Sequence, residues 1–137
     1  MAQLAQKHIL IVDDDPSVLR SLARYLKKKG YRVSEASGGR DAIEKVEKDP
    51  PHLVLLDVVM PDMDGIETLN LIRQRFPDVD VVMISALKEE IVAKESIKMG
   101  AYEWLPKPFS LETLETTIFV TLMRRGLIDG SEVPILS

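Results

Sequence analysis

The sequence predicts an α/β fold built on a doubly wound parallel sheet, and three observations carry that expectation. Five short segments, 8–13, 31–36, 52–57, 79–85 and 102–105, are mostly β-branched or apolar and are bounded by turn residues. Three of them are continuously apolar instead of alternating, as strands buried on both faces of a parallel sheet require. Segments with helical spacing lie between them, and strands alternating with helices of about 10 to 15 residues build right-handed βαβ units.

The elements follow in order. "HILIVD" is the first strand, and Asp15-Pro16 behind it supplies an N-cap with proline at the first helical position. Val18, Leu19, Leu22, Ala23 and Leu26 form the apolar stripe of the first helix, and Gly30 provides its left-handed stop. Lys27, Lys28 and Lys29 fall in its last turn, where cations complement the helix dipole. "YRVSEA", "HLVLLD", "VDVVMIS" and "YEWL" are the later strands, with turns marked by Gly38-Gly39, Asp64-Gly65, Phe76-Pro77 and Gly100. In the last helix Leu111, Leu114, Ile118 and Leu122 make one stripe, and Phe119, Val120 and Met123 add apolar surface beyond it. The tail "RRGLIDGSEVPILS" reads as loop. The expected organisation is an N-terminal extension (1–6), one domain (7–124) and a C-terminal tail or start of a linker (125–137).

Composition narrows the function. A chain of 137 residues with 45% hydrophobic side chains supports one cored domain and is too short for two ordinary ones. With no cysteine there is neither a disulfide framework nor a thiolate zinc site, which suits the reducing cytoplasm. No stretch reaches the roughly 18 apolar residues of a membrane span, and "MAQLAQKH" lacks the apolar core of a secretory signal, so no membrane association is expected. A net charge of −4 and a longest basic run of three lysines leave little footprint for direct nucleic-acid binding.

The acidic residues carry the chemistry. In an open parallel sheet, ligands gather beyond the carboxyl ends of the strands, near the point where the winding reverses. Asp13 and Asp14 end the first strand, Asp57 the third and Ser85 the fourth, and Lys107 follows the fifth, so these residues converge on one rim. Carboxylates a few Å apart repel by about 4 kcal/mol per pair at an effective dielectric near 20, so the cluster calls for a cation or loses a proton. Oxygen-only ligation with an incomplete protein cage suits magnesium, which readily bridges to a phosphoryl group. Lys107 can reach an anionic oxygen and Ser85 offers a hydroxyl donor. Metal, lysine and hydroxyl around a carboxylate make a phosphoryl-transfer site, where an aspartate nucleophile would become an aspartyl phosphate.

The blocks "ILIVDDD", "LVLLDVVMPDMDG", "VVMISA" and "GAYEWLPKPF" resemble, in order, the four signature blocks of receiver domains from two-component response regulators, over roughly residues 7 to 124. The resemblance implies a flavodoxin-like (βα)5 sheet with strand order 2-1-3-4-5. It implies Asp57 as phosphoacceptor, Asp14 as a direct Mg2+ ligand, Asp13 acting largely through water, and the Val59 backbone carbonyl as a further ligand, with Mn2+ as a substitute ion. Ser85 becomes the switch hydroxyl, Lys107 the phosphoryl-binding lysine, Trp104 the switch aromatic, and the Lys107-Pro108 peptide is expected cis. Two positions depart from the commonest pattern: tryptophan stands where tyrosine or phenylalanine is usual, and serine where threonine is more frequent.

The function so implied is a phosphorylation-dependent signalling switch, which catalyses only its own phosphorylation and dephosphorylation. The expected partners are a sensor histidine kinase or phosphotransfer protein, a downstream effector or fused output domain, and a second copy docked through the fourth helix, fifth strand and fifth helix. An aspartate-nucleophile phosphatase fits less well, because in haloacid-dehalogenase-like enzymes a D-x-D motif directly ends the strand, whereas Asp57 is followed by Val-Val. An unphosphorylated interaction module leaves the filled acceptor, metal and lysine positions without purpose, and an EF-hand would place Met60 and Leu71 at calcium-ligand positions. Asp15 is assigned to helix capping, Asp62 and Asp64 to the loop and the next helix start, and His8 and His52 are not expected to be ligands of an oxygen-preferring ion.

Overall fold

The computed structural model describes residues 7–58, 65–86, 98, 100, 101, 103–124 and 126. Within them the chain runs β1 (His8–Val12), α1 (Pro16–Lys28), β2 (Arg32–Ala36), α2 (Gly39–Lys48), β3 (Leu53–Asp57), α3 (Gly65–Arg75), β4 (Asp80–Ala86), β5 (Glu103–Lys107) and α4 (Leu111–Arg124), the last helix. All strand pairs are parallel and the order is β2-β1-β3-β4-β5, as the sequence reading expected. Val59, the loop from Met60 to Asp64, and most of the segment between β4 and β5, where a fourth helix was expected, lie outside the described residues. No helix among the described residues is long and apolar enough to cross a membrane.

Strict two-residue alternation distributes the strand side chains over two cores. Ile9, Ile11, Leu53, Leu55, Val82, Ile84 and Leu105 pack on one face against Leu19, Leu22 and Leu26 of α1 and Leu114, Ile118 and Leu122 of α4. On the other face Leu10, Val12, Val54, Leu56, Val81 and Met83 meet Ala42, Ile43 and Val46 of α2 and Leu69 and Ile72 of α3. Each fully buried leucine or isoleucine contributes roughly 1.5–3 kcal/mol of transfer free energy, so the sheet is held from both sides.

Local signals agree with the elements they mark. Asp15 Oδ1 accepts from Ser17 N at 2.9 Å and from Ser17 Oγ at 2.8 Å, which caps α1, and those bonds lower its pKa. Gly30 has φ 103°, the left-handed conformation that ends the helix. Ser110 Oγ accepts from Thr113 N at 3.0 Å and caps α4.

Two expectations shift. β5 runs on through Pro106 to Lys107, beyond the expected end at Leu105. A proline is tolerated there because β5 is an edge strand, where one missing N–H breaks no ladder on the open side. Leu111 is 40% exposed and does not join the buried stripe of Leu114, Ile118 and Leu122, since it begins the helix, whereas Phe119, at 6%, belongs to the core.

Candidate functional site

The sheet delivers its polar residues to the carboxyl end in two rows. Asp13 continues the row of Ile9 and Ile11, Asp57 that of Leu53 and Leu55, and Lys107 that of Leu105, all on the face covered by α1 and α4. Ser85 follows Val81 and Met83 on the opposite face, the side on which Trp104 packs against the second core.

In the first row, carboxylate oxygens of Asp13, Asp14 and Asp57 all lie within 4.8 Å of one another. Asp13 and Asp57 are buried while Asp14 is exposed at the rim. Lys107 Nζ stands 3.6 Å from Asp13 Oδ2 and 3.7 Å from Asp57 Oδ1, bridging the two buried groups. Asp13 is held from both ends: its N–H donates to the Ala36 carbonyl at 3.1 Å, and its Oδ1 accepts from Asp15 N at 2.9 Å. Behind Asp57, Val58 N donates to the Ile84 carbonyl at 3.1 Å. The lysine is the last residue of β5 and precedes a cis Lys107-Pro108 peptide.

Three carboxylates face one ammonium, so the cluster carries an excess of negative charge in a partly desolvated setting. A hard divalent cation with oxygen ligands fits that donor set, because it relieves the repulsion without needing nitrogen or sulfur. A phosphoryl group brings three further oxygens, which a cation and Lys107 together can neutralise.

In the second row, Ser85 is fully buried and its Oγ accepts a hydrogen bond from Trp104 Nε1 at 2.8 Å. Trp104 is thus brought to Ser85 and not to the carboxylates. Val59 lies outside the described residues.

One residue of the site was read only as punctuation. A Cβ on Gly65 would lie 2.3 Å from the Asp57 carbonyl oxygen and 2.6 Å from Val58 Cα, and Gly65 N donates to the Val58 carbonyl at 2.7 Å. The start of α3 is therefore seated directly on the backbone that carries Asp57. The "DG" step gives a turn signal, but a close approach between positions eight residues apart has no signature in a single sequence.

Comparison with known proteins identifies the family. Residues 9–119 match the response regulator receiver domain family, and the chain belongs to that family. It is 37% identical over 123 residues to the response regulator MprA of Mycolicibacterium vanbaalenii, covering 90% of this chain and 53% of that protein. Over 118 residues it is 36% identical to the alkaline phosphatase synthesis transcriptional regulatory protein PhoP of Bacillus subtilis, covering 86% of this chain and 49% of the relative. The chain thus spans about half the length of these relatives. Among solved structures, the receiver domain of NtrX from Brucella abortus superposes with a TM-score of 0.80 at 30% identity, covering 83% of this chain and 97% of the other. The chemotaxis protein CheY4 of Vibrio cholerae gives 0.79 at 31%, covering 85% and 98%.

Proposed function

We propose that this receiver domain is a phosphorylation-dependent switch in which Asp57 accepts a phosphoryl group from the phosphohistidine of a sensor histidine kinase or phosphotransfer protein. The observation that carries this reading is the convergence of Asp13, Asp14, Asp57 and Lys107, contributed by three strand ends, on one partly buried rim.

An Asp57 carboxylate oxygen attacks phosphorus, and the P–N bond to the kinase imidazole breaks. The imidazole leaves with the electron pair and takes up a proton. Lys107 follows the charge as it spreads onto the phosphoryl oxygens, which lie within its reach because it already spans Asp13 and Asp57. Asp13, Asp14, Asp57 and the Val59 carbonyl are the groups that would hold Mg2+, or Mn2+ in its place. When bound, that ion offsets the charge shared by the carboxylates and the incoming phosphoryl oxygens. Ser85 donates its hydroxyl to a phosphoryl oxygen, and the altered packing around it passes the signal to an effector or a fused output domain. Hydrolysis of the aspartyl phosphate resets the domain, so the chain modifies itself and turns over no separate substrate. Leu111 and Met123 on α4, at 40% and 38% exposure, mark the face through which a second copy or an effector would dock, together with β5.

Acetyl phosphate with Mg2+ adds a single phosphoryl group to the intact protein in this reading, and chelation of the ion prevents it. Mass spectra showing no addition, or addition at a residue other than Asp57, would overturn it.

A further inference from the structure

We propose that Trp104 is a positioning residue for the Ser85 hydroxyl: its indole N–H holds one oxygen lone pair, leaving the hydroxyl proton for the phosphoryl group on Asp57. The inference rests on the phosphoacceptor reading above.

The contact has only one polarity. Indole nitrogen is a donor and never an acceptor, so in the 2.8 Å bond Trp104 gives the proton and Ser85 Oγ receives it. A serine hydroxyl owns one donor and two acceptor positions, so this bond leaves its own O–H free to point elsewhere. Tyrosine in the same place could reverse the bond and consume that proton, and phenylalanine would make no bond at all.

The surroundings hold the arrangement in place. Ser85 is fully buried, so bulk water does not compete for its oxygen. Its register partner on β5 is Pro106, which has no N–H to offer, so the indole is the donor that the neighbouring strand presents. Trp104 itself pairs with Met83 and packs against the second core, so a rigid bicycle fixes the direction of its N–H.

The bond uses a part of the hydroxyl that a phosphoryl oxygen does not need.

The test is a two-by-two comparison of phosphorylation rate, with the full chain, acetyl phosphate and Mg2+. Trp104→Phe slows uptake about fivefold when Ser85 is present, the size of one lost neutral hydrogen bond. In a Ser85→Ala background the same change has no effect, because the oxygen it orients is gone. Benzothienylalanine at position 104, which keeps the bicycle and replaces N–H by sulfur, reproduces the fivefold loss and separates the hydrogen bond from packing. Equal slowing in both Ser85 backgrounds overturns the inference. A wild-type chain that is phosphorylated while Trp104→Phe keeps its rate overturns this inference alone, whereas a wild-type chain that takes up no phosphoryl group overturns the phosphoacceptor reading with it.

Discussion

The two ends of the sheet treat polar residues in opposite ways. At the carboxyl end, Asp13, Asp14 and Asp57 crowd one lysine and keep an excess of like charge. At the amino end, His8 and His52 are tied together: His8 N donates to His52 Nδ1 at 3.0 Å, His52 N donates to the His8 carbonyl at 2.9 Å, and His8 Nε2 meets Ser34 Oγ at 2.6 Å. Burial lowers the pKa of both histidines, with the charge of Arg32 adding to the effect on His8 and that of Lys7 to the effect on His52. One end stores electrostatic repulsion that a ligand can release, and the other holds its two histidines toward their neutral forms. A site that binds charge is recognisable by what the fold leaves unbalanced, more than by how polar it is.

The sharpest break of this contrast is Asp57→Asn, which removes the nucleophile while keeping its size. Phosphoryl uptake from acetyl phosphate is expected to vanish, and labelling equal to wild type in intact-mass spectra would refute the assignment. Asp14→Ala acts on the same end with the opposite sign for folding: magnesium affinity falls, while thermal stability holds or rises because one member of a repelling cluster is gone. An unchanged magnesium titration would place the ion elsewhere.

Gly65→Ala comes next in size. The added methyl would meet Asp57 and Val58 backbone within 3 Å, and backbone does not yield as the tip of a long side chain does. Strain at the upper end of the usual 1–3 kcal/mol, about 3 kcal/mol, is expected together with a displaced Asp57, so both the melting temperature and the phosphorylation rate fall. Normal phosphorylation in a destabilised variant would show that α3 moves away and leaves the strand end untouched.

How much of this was legible follows from range. Asp57 announces itself because four apolar residues in "LVLLD" precede it, and Asp15-Pro16 because capping is a local matter. The strand order follows from the resemblance of whole blocks, not from any single strand. Contacts set by register were not readable: the indole of Trp104 reaches Ser85 only because β5 pairs with β4 in a particular alignment, nineteen positions apart. The histidine knot is of the same kind, since His8 and His52 each precede an apolar run and nothing local says that they touch. Leu111 misled because helical spacing places residues on a face without saying how far along the helix the core extends.

The amino end gives the pH prediction. In the folded chain both histidines prefer the neutral form, so their folded pKa values lie below the ordinary 6.5. Their contribution is fully present above about pH 6.5 and is lost as pH falls through the lowered folded values, because the unfolded chain then binds the protons more readily. Protonated His52 also loses its role as acceptor for His8 N, since both ring nitrogens then donate. Melting temperature is expected to drop on acidification from pH 7 toward 5, and His52→Phe should flatten part of that dependence. An identical slope in the variant would mean that the knot does not report pH.

The smallest effect sharpens the comparison most finely. Arg32 and Asp49 form an ion pair at 2.6 Å beside His8, yet both side chains are more than half exposed, at 54% and 56%. A short distance between solvated groups adds little to stability, because water screens the attraction and two long side chains lose freedom to make it. Neither Arg32→Met nor Asp49→Asn should shift the melting temperature measurably at physiological salt. Their influence appears instead in the titration of His8, where the two charges act with opposite signs: Arg32 lowers its pKa and Asp49 raises it. Removing the arginine should therefore lift the His8 pKa toward its ordinary value, and removing the aspartate should depress it further, as followed by the imidazole proton shifts in NMR. Two variants that move His8 in the same direction would show that the pair acts by reshaping the knot and not through its charges, and the amino end would then owe its neutrality to burial alone.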